Sequence, residues 1–348
     1  MGYRDRGMPL ARRPPPRFFV WPPPPQPSPV KGEGEESDGR KPRVMTLFFQ
    51  HMIDALSLGS LYALAALGIG LIFGVLRLIN FAHGDFISFG VFALIVPSTN
   101  VVATMFLGAL PWPLLIISII AVVVILALIS EYVVFRPLRN ASPSSLMVGS
   151  FALGFVIQYT LLILYQSRPK AIGLWSDLNR HIDIFGLRVP QLQIITIAVT
   201  IGLLLVLMLF LKKTSYGLQM RAAAEDFRMA RLLGVRANFV ISLAFAISGL
   251  LAAVISLLFV AQTGVASIRM GVPLMLFAFI ATVIGGMGSL VGAVVGGFVV
   301  GIMSVLLQVF LPVDLRSFRD AFVFFAVILI LLFRPEGLVQ VKAAKERI

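Results

Sequence analysis

The sequence predicts an all-α protein, a polytopic bundle of transmembrane helices with eight or nine spans. Hydrophobic residues occupy 58% of the 348 positions, the mean hydropathy is +0.95, and only 13% of residues are charged. A soluble domain of this size needs a larger polar surface, so lipid must form part of its solvent. The charges are also unevenly placed, because residues 1–44 hold 14 of the 45 charged residues (29 basic and 16 acidic).

Residues 1–44 differ in composition from the rest of the chain. They contain 11 of the 21 prolines and end in a polar stretch from Lys31 to Arg43. Such a segment cannot bury a core, so we expect a disordered, proline-rich tail. No apolar stretch typical of a signal peptide precedes Met45. We therefore expect Met45 to be the true start of the protein, with residues 1–44 upstream of it.

Apolar stretches of membrane-spanning length, about 20 residues each, begin at Met52 and define a transmembrane domain over residues 45–340. The predicted spans lie near residues 52–76, 85–107, 112–135, 145–166, 190–211, 238–260, 272–287, 289–311 and 318–333. The stretch at 272–287 is short and the stretch at 289–311 is interrupted by glycines. A broken or re-entrant helix is therefore expected near residues 272–311.

The lysines and arginines predict the orientation of the bundle. One set of alternate loops and the C-terminus hold twelve of them, against seven in the opposite set. This bias puts the loop at 212–237 and the tail at 341–348 in the cytoplasm. Nine spans would leave the N-terminus outside, whereas eight would place it inside. The sequence pI near 10.7 then reflects cytoplasmic loops rather than a nucleic-acid partner.

The composition argues against a cofactor or a catalytic centre. The chain contains no cysteine, and His51, His83 and His181 are too far apart to form a local metal motif. The closest approach to a phosphate-binding loop, at residues 285–289, lacks the lysine and lies in an apolar stretch. We therefore expect no metal, no cofactor and no ATP hydrolysis by this chain itself.

The loop at 212–237 predicts a short amphipathic helix. Asp226 is a plausible N-cap and Gly234 a plausible residue just beyond the C-cap. Between them Phe227, Ala230 and Leu233 recur at helical spacing and define one apolar face. Two interpretations stay open from the periodicity: the helix docks against a cytoplasmic partner, or it is a surface helix lying along the bundle.

A polar segment, Asn80-Phe81-Ala82-His83-Gly84-Asp85, lies between two predicted spans. Ionisable groups at membrane depth are costly unless they face protein or water, so Asn80, His83, Gly84 and Asp85 are candidates for the lining of a transport path. Alternatively, Gly84 breaks the helix and Asp85 caps the next one, where the helix dipole favours a carboxylate.

Glycines repeat at a spacing of four at Gly288, Gly292 and Gly296, with Gly297 and Gly301 nearby. Small residues at this spacing allow helices in lipid to pack closely. The alternative is a substrate-facing surface of exposed backbone, which would also include Gly285 and Gly286. The polar stretch at 167–189 could meet a partner outside the cell.

Four ordered motifs resemble the branched-chain amino acid ABC transporter permeases of the LivH type. They lie at residues 58–64 with 79–86, at 217–234, at 283–293 and at 334–338, and the likeness runs from about Met45 to Gln340. The tail before Met45 has no counterpart in this pattern. The motifs identify the permease group more specifically than the substrate, because urea and short-chain amide permeases look alike.

The resemblance implies an importer built from two ATPase subunits, this permease, a second permease of the LivM type and an extracytoplasmic substrate-binding protein, in the bacterial inner membrane. It favours ATP-driven import of branched-chain amino acids. It also implies that the loop at 212–237 holds a coupling helix, and the residues assigned to ATPase coupling are Gly217, Arg221, Ala222, Glu225, Asp226, Ala230, Arg231, Leu232, Leu233 and Gly234. A secondary carrier without an ATPase would require carboxylates inside several spans, and beyond Asp85 only Asp54 and Glu131 qualify.

Overall fold

The computed structural model describes residues 44–98, 100–184, 187–335 and 337–339. The expected disordered tail up to residue 43 and the expected cytoplasmic tail at 341–348 lie outside these residues. The described residues form α-helices, short 3₁₀ turns and two small antiparallel sheets.

Six of the described helices are long and apolar enough to cross a membrane. They are α1 (Val44–Leu76), α3 (Trp112–Ser130, continued by a π-helical turn over Glu131–Phe135), α4 (Pro143–Tyr165), α5 (Gln191–Lys213), α8 (Ala237–Thr263) and α10 (Leu290–Phe310). All six coincide with predicted spans, with ends that differ by a few residues except at the N-terminus of α1.

The remaining described helices are shorter. They are α2 (His83–Phe92), α6 (Ser215–Glu225), α7 (Phe227–Leu232), α9 (Gly271–Gly285) and α11 (Arg319–Phe333). Helices α9 and α11 have 15 residues each and rise about 22 Å, less than the roughly 30 Å of a hydrocarbon core. Eight or nine helices of full spanning length are therefore not found among the described residues.

A single helix over the predicted span at 85–107 is not found, because α2 ends at Phe92 and the described residues 93–98 and 100–111 form turns, isolated bridges and a short 3₁₀ turn. Backbone groups of this stretch bond to a distant segment: the Ala103 amide donates to the Ala171 carbonyl at 3.1 Å, and the Ala171 amide donates to Val101 at 2.9 Å. These bonds replace the helical ones that an apolar segment otherwise requires.

The two sheets lie in the connections after α4 and α8. Strand β1 (Lys170–Ala171) pairs antiparallel with β4 (Val265–Ala266), and strands β2 (His181–Ile184) and β3 (Leu187–Pro190) form a hairpin. The wholly buried Lys170 ammonium donates to the Ser98 and Asn100 carbonyls at 2.7 Å each. These contacts join the segment that follows α2 to the segments that follow α4 and α8.

Helix α1 is the most deeply buried of the spans, and glycines of α10 pack on it. A Cβ at Gly297 would overlap the backbone of Ala63, and one at Gly301 would overlap Gly59. On the neighbouring side of α10, Gly292 lies against the Gly285 carbonyl of α9. The predicted close packing of this glycine series is confirmed, except at Gly288. That residue lies in the turn between α9 and α10, with φ of +93° and open space around it.

Candidate docking segment and buried polar site

A two-helix segment, here called the α6–α7 segment (Thr214–Gly234), follows α5 directly. The Thr214 hydroxyl caps α6 by accepting from the Gly217 amide at 3.0 Å. Gly217, Met220 and Ala223 form the buried face of α6. A side chain at Gly217 would overlap the backbone of Leu211 in α5, so α6 lies directly against the end of that span. The sequence predicted only the second helix of this segment.

Helix α7 has the predicted caps, whereas its predicted apolar face is found only in part. An Asp226 carboxylate oxygen accepts from the Met229 amide at 3.0 Å, and Gly234 has φ of +87°. Ala230 is buried, whereas Leu232 and Leu233 are each 82% exposed. The predicted face is therefore wrong at Leu233, because the six-residue helix ends at Leu232. The Phe227 side chain lies outside the described residues.

The outer surface of the α6–α7 segment combines exposed apolar side chains with charge. Its exposed apolar residues are Tyr216, Leu218, Met229, Leu232 and Leu233. Arg221, Glu225 and Arg231 are also exposed, while Ala222 is half-buried. An apolar patch rimmed by charged residues is typical of a protein interaction site.

Two sets of hydrogen bonds tie the α6–α7 segment and its neighbours to the spans, and the sequence did not reveal either. The Arg77 guanidinium, just after α1, donates to the Ala224 carbonyl of α6 at 3.2 Å. Arg77 has φ of +55°, which no sequence signal indicates. This contact holds the end of α1 against α6.

The second set surrounds Glu131, in the π-helical turn that ends α3. Its carboxylate pairs with Arg139 and accepts from the Ser242 hydroxyl at 3.0 Å, while Arg139 also donates to Asn238. Ser242 and Asn238 belong to α8, so the network joins the end of α3 to the start of α8. A carboxylate in an apolar span was its only sequence signal.

Inside the bundle, a buried polar site surrounds the start of α2. His83 is wholly buried, and its Nδ1 lies 3.1 Å from the Ser248 hydroxyl of α8. The Asp85 carboxylate accepts from the Gln158 amide of α4 at 2.8 Å and is 3% exposed. The Asn80 amide oxygen accepts from the Ala82 amide at 3.1 Å. Spans α1, α4 and α8 thus surround the start of α2, with His83 facing α1 and α8 and Asp85 facing α4.

Asp85 does not cap α2 and Gly84 does not break the helix, although Asp85 lies in the first turn of α2, where the helix dipole was expected to favour a carboxylate. Helix α2 begins at His83, Gly84 lies inside it, and no side chain caps its N-terminus. Gly84 is required for a different reason, since a Cβ there would overlap the Gly271 carbonyl at the start of α9. The Asp85 carboxylate points to α4, where Gly154 leaves the space for it.

The other candidate path residues, Gly285, Gly286 and Gly288, lie at the opposite end of α9 from Gly84. The length of α9 separates the two groups by about 20 Å. At that far end the Leu338 amide donates to the Ile284 carbonyl at 2.7 Å, and Gly286 lies against Gly337. The structure does not bring the two groups into one site.

The buried polar site holds a carboxylate for which no ion pair is found among the described residues. It also holds two donors or acceptors without a partner, the Asn80 amide nitrogen and His83 Nε2. Buried polar groups without partners are rare in folded proteins and call for an explanation. No group of three or more His, Asp or Glu side chains over the described ranges could hold a metal ion. The arrangement could instead bind a small polar molecule once the helices separate.

Residues 51–333 match the family model described as the permease component of the branched-chain amino acid transport system. The high-affinity branched-chain amino acid transport system permease protein BraD of Pseudomonas aeruginosa is 32% identical, over 84% of this chain and 95% of the relative. The permease protein LivH of Escherichia coli K12 is 31% identical over the same shares. A solved structure of PsaBC from Streptococcus pneumoniae in complex with Fab overlays 80% of this chain and 90% of its own, with a TM-score of 0.44 and 17% identity.

Proposed function

We propose a function for this chain on the premise that it belongs to the family of permease components of branched-chain amino acid transport systems. It is a multi-pass helical membrane protein and a transport subunit. Its function is to translocate branched-chain amino acids as the permease of an ATP-driven importer. The single observation that carries this proposal is the match over 84% of the chain to permeases of that named activity.

We infer that the chain crosses the bacterial inner membrane nine times, with the α6–α7 segment in the cytoplasm. Helices α1, α3 and α5 end near this segment, as the Arg77–Ala224 and Arg139–Asn238 contacts indicate. Helices α2, α4 and α8 end near one another at the other side, where Tyr165 donates to the Phe92 carbonyl and β1 pairs with β4. In this topology α2 and the chain after it form one crossing, and the short α9 and α11 form two more.

The ATPase subunits bind the outer surface of the α6–α7 segment. This interpretation is supported by the exposed Leu232 and Leu233 and by the close packing of α6 against α5 at Gly217. A docked element transmits motion only when it is fixed to the spans that must move. Arg77 and Gly217 fix α6 to α1 and α5. The other chains of the proposed assembly are a second permease and an extracytoplasmic binding protein.

The buried polar site around α2 forms part of the substrate path. Asp85, with no cation beside it among the described residues, suits the ammonium group of an amino acid. The unpartnered Asn80 amide and the helix N-terminus at His83 suit its carboxylate. In the described state the site is closed, so passage requires α2 to separate from α4 or α8.

The substrate assignment is tested in cells that lack other leucine transport systems and express the complete importer. We expect uptake of labelled leucine that excess unlabelled isoleucine or valine suppresses and that excess urea or acetamide leaves unchanged. Suppression by urea or acetamide, but not by valine, would reassign the permease to amides.

The docking assignment is tested by the double substitution Glu225→Lys/Asp226→Lys in the purified complex. We expect loss of the ATP hydrolysis that the loaded binding protein stimulates. Asp226→Ala removes the oxygen that caps α7 without adding a charge and serves as the control for lost capping, and Asp177→Lys on the opposite side serves as the control for added charge. Normal stimulation in the double variant would refute the docking assignment.

A further inference from the structure

A cavity of about 1000 Å³ lies behind the α6–α7 segment, between it and the spans. The end of α1, the turns after α3, helix α6 and the start of α8 enclose it. Five arginines line it among the residues whose side chains the structure describes: Arg77, Arg136, Arg139, Arg231 and Arg236. Leu232 and Leu233 are not among its lining residues, so the exposed apolar part of the surface described above lies outside this cavity, whereas Glu225 and Arg231 contribute to both.

The positive charge of the cavity is only partly compensated. Glu225 is the one carboxylate among the described lining residues, and Glu131 behind the wall pairs with Arg139. Arg77 donates to a neutral carbonyl, and Arg136 lies over the Tyr132 ring at 5.2 Å. The structure gives no hydrogen bond or ion pair for the guanidinium of Arg236 within the ranges it describes. An anion would therefore gain several charged donors at once.

The walls between these arginines are apolar. Val75, Leu78, Phe135 and Ile241 lie among the charged residues. Outside, the Tyr132 side chain below Arg136 is 63% exposed, in the turn that continues α3, and most side chains of that span are not buried. The arginines suit the charged headgroup of a phospholipid, and the apolar walls suit its chains.

We propose that this cavity binds the phosphate of an anionic phospholipid from the cytoplasmic leaflet, and that the bound lipid holds the α6–α7 segment against the spans. The assignment of this end to the cytoplasm rests on the proposed function. Binding itself does not require ATP-driven import, so the two claims can fail separately. A free phosphate ion shares the headgroup chemistry, but the apolar walls favour a ligand that carries chains.

The test uses the full purified chain in nanodiscs of phosphatidylcholine with increasing phosphatidylglycerol, and native mass spectrometry counts the retained lipids. We expect the wild-type protein to retain phosphatidylglycerol in preference to phosphatidylcholine. Arg136→Gln/Arg236→Gln should weaken retention roughly fivefold per arginine, or about 25-fold in total. Arg188→Gln/Arg269→Gln removes two exposed arginines at the opposite end and should leave retention unchanged.

A double substitution to lysine is the control for loss of folding in the glutamine double variant. Arg136→Lys/Arg236→Lys keeps both charges, so it should retain clearly more lipid than the glutamine pair. Retention that falls equally in the lysine and glutamine pairs, or equally in the control pair, would overturn the proposal. Saturation by inorganic phosphate in phosphatidylcholine discs would assign the cavity to a free anion, and displacement of the retained phosphatidylglycerol by the purified ATPase subunits would assign it to the partner protein. Either result overturns the lipid site.

Discussion

The buried Glu131–Arg139 ion pair allows a prediction whose size and asymmetry both follow from the structure. The Glu131 side chain is 4% exposed and that of Arg139 is 19% exposed. Removing one partner of a buried pair costs about 3–5 kcal/mol, because the other charge is left without compensation. Arg139 lines the large cavity, so after Glu131→Leu it can turn toward water, and we expect a cost of about 3 kcal/mol.

The reverse change, Arg139→Leu, should cost more. It leaves the Glu131 carboxylate with only the Ser242 hydroxyl, at 3.0 Å, and no route to solvent. We therefore expect a cost of about 5 kcal/mol. The double variant Glu131→Leu/Arg139→Leu buries no charge, so it should cost less than either single change.

These costs are measured by titrating the purified chain in mixed micelles with a denaturing detergent and following helix content. Ser242→Ala, which removes one hydrogen bond to the charged group, is the matched control at about 1.5–3 kcal/mol. Additive costs in the double variant, or a smaller cost for Arg139→Leu than for Glu131→Leu, would refute the view that this pair is buried and coupled.

Three further changes test the polar site, the helix packing and the attachment of α6. Gly154→Val places atoms where the Asp85 carboxylate lies, so we expect leucine uptake to fall about tenfold or more, whereas Gly202→Val, at an open position, should leave it within about twofold. Gly297→Val overlaps the α1 backbone and should destabilise the chain by roughly 1–3 kcal/mol in the same titration, with Gly202→Val again as the control. Arg77→Gln shortens the side chain that bonds Ala224, so amide hydrogen exchange in α6 should accelerate while that in α10 stays unchanged. Unchanged uptake, stability or exchange, respectively, would contradict each expectation.

The long helices could be predicted because apolar length alone requires them in lipid. The same reasoning failed at 85–107, where the residues are as apolar as in a span but the helix has only ten residues. The backbone partners of that stretch, such as Ala171, lie far away in the sequence. Hydropathy does not reveal a strand partner at such a distance.

The candidate sites were predicted in part for a similar reason. Local chemistry indicated the Asp226 cap and the Gly234 turn, because both depend on residues within one turn of the helix. The role of Asp85 depends on Gln158 of another helix, so a local rule assigned it to capping. Arg77 was missed because its partner is a backbone carbonyl, which has no sequence signature.

The central claim is that this chain moves branched-chain amino acids at the expense of ATP hydrolysed by separate subunits. The most direct test is uptake of labelled leucine into proteoliposomes that contain the permease pair, the two ATPases and the loaded binding protein. We predict uptake that requires internal ATP and that stops when the ATPase subunits are omitted. Leucine uptake that continued at the same rate without the ATPases would contradict the account.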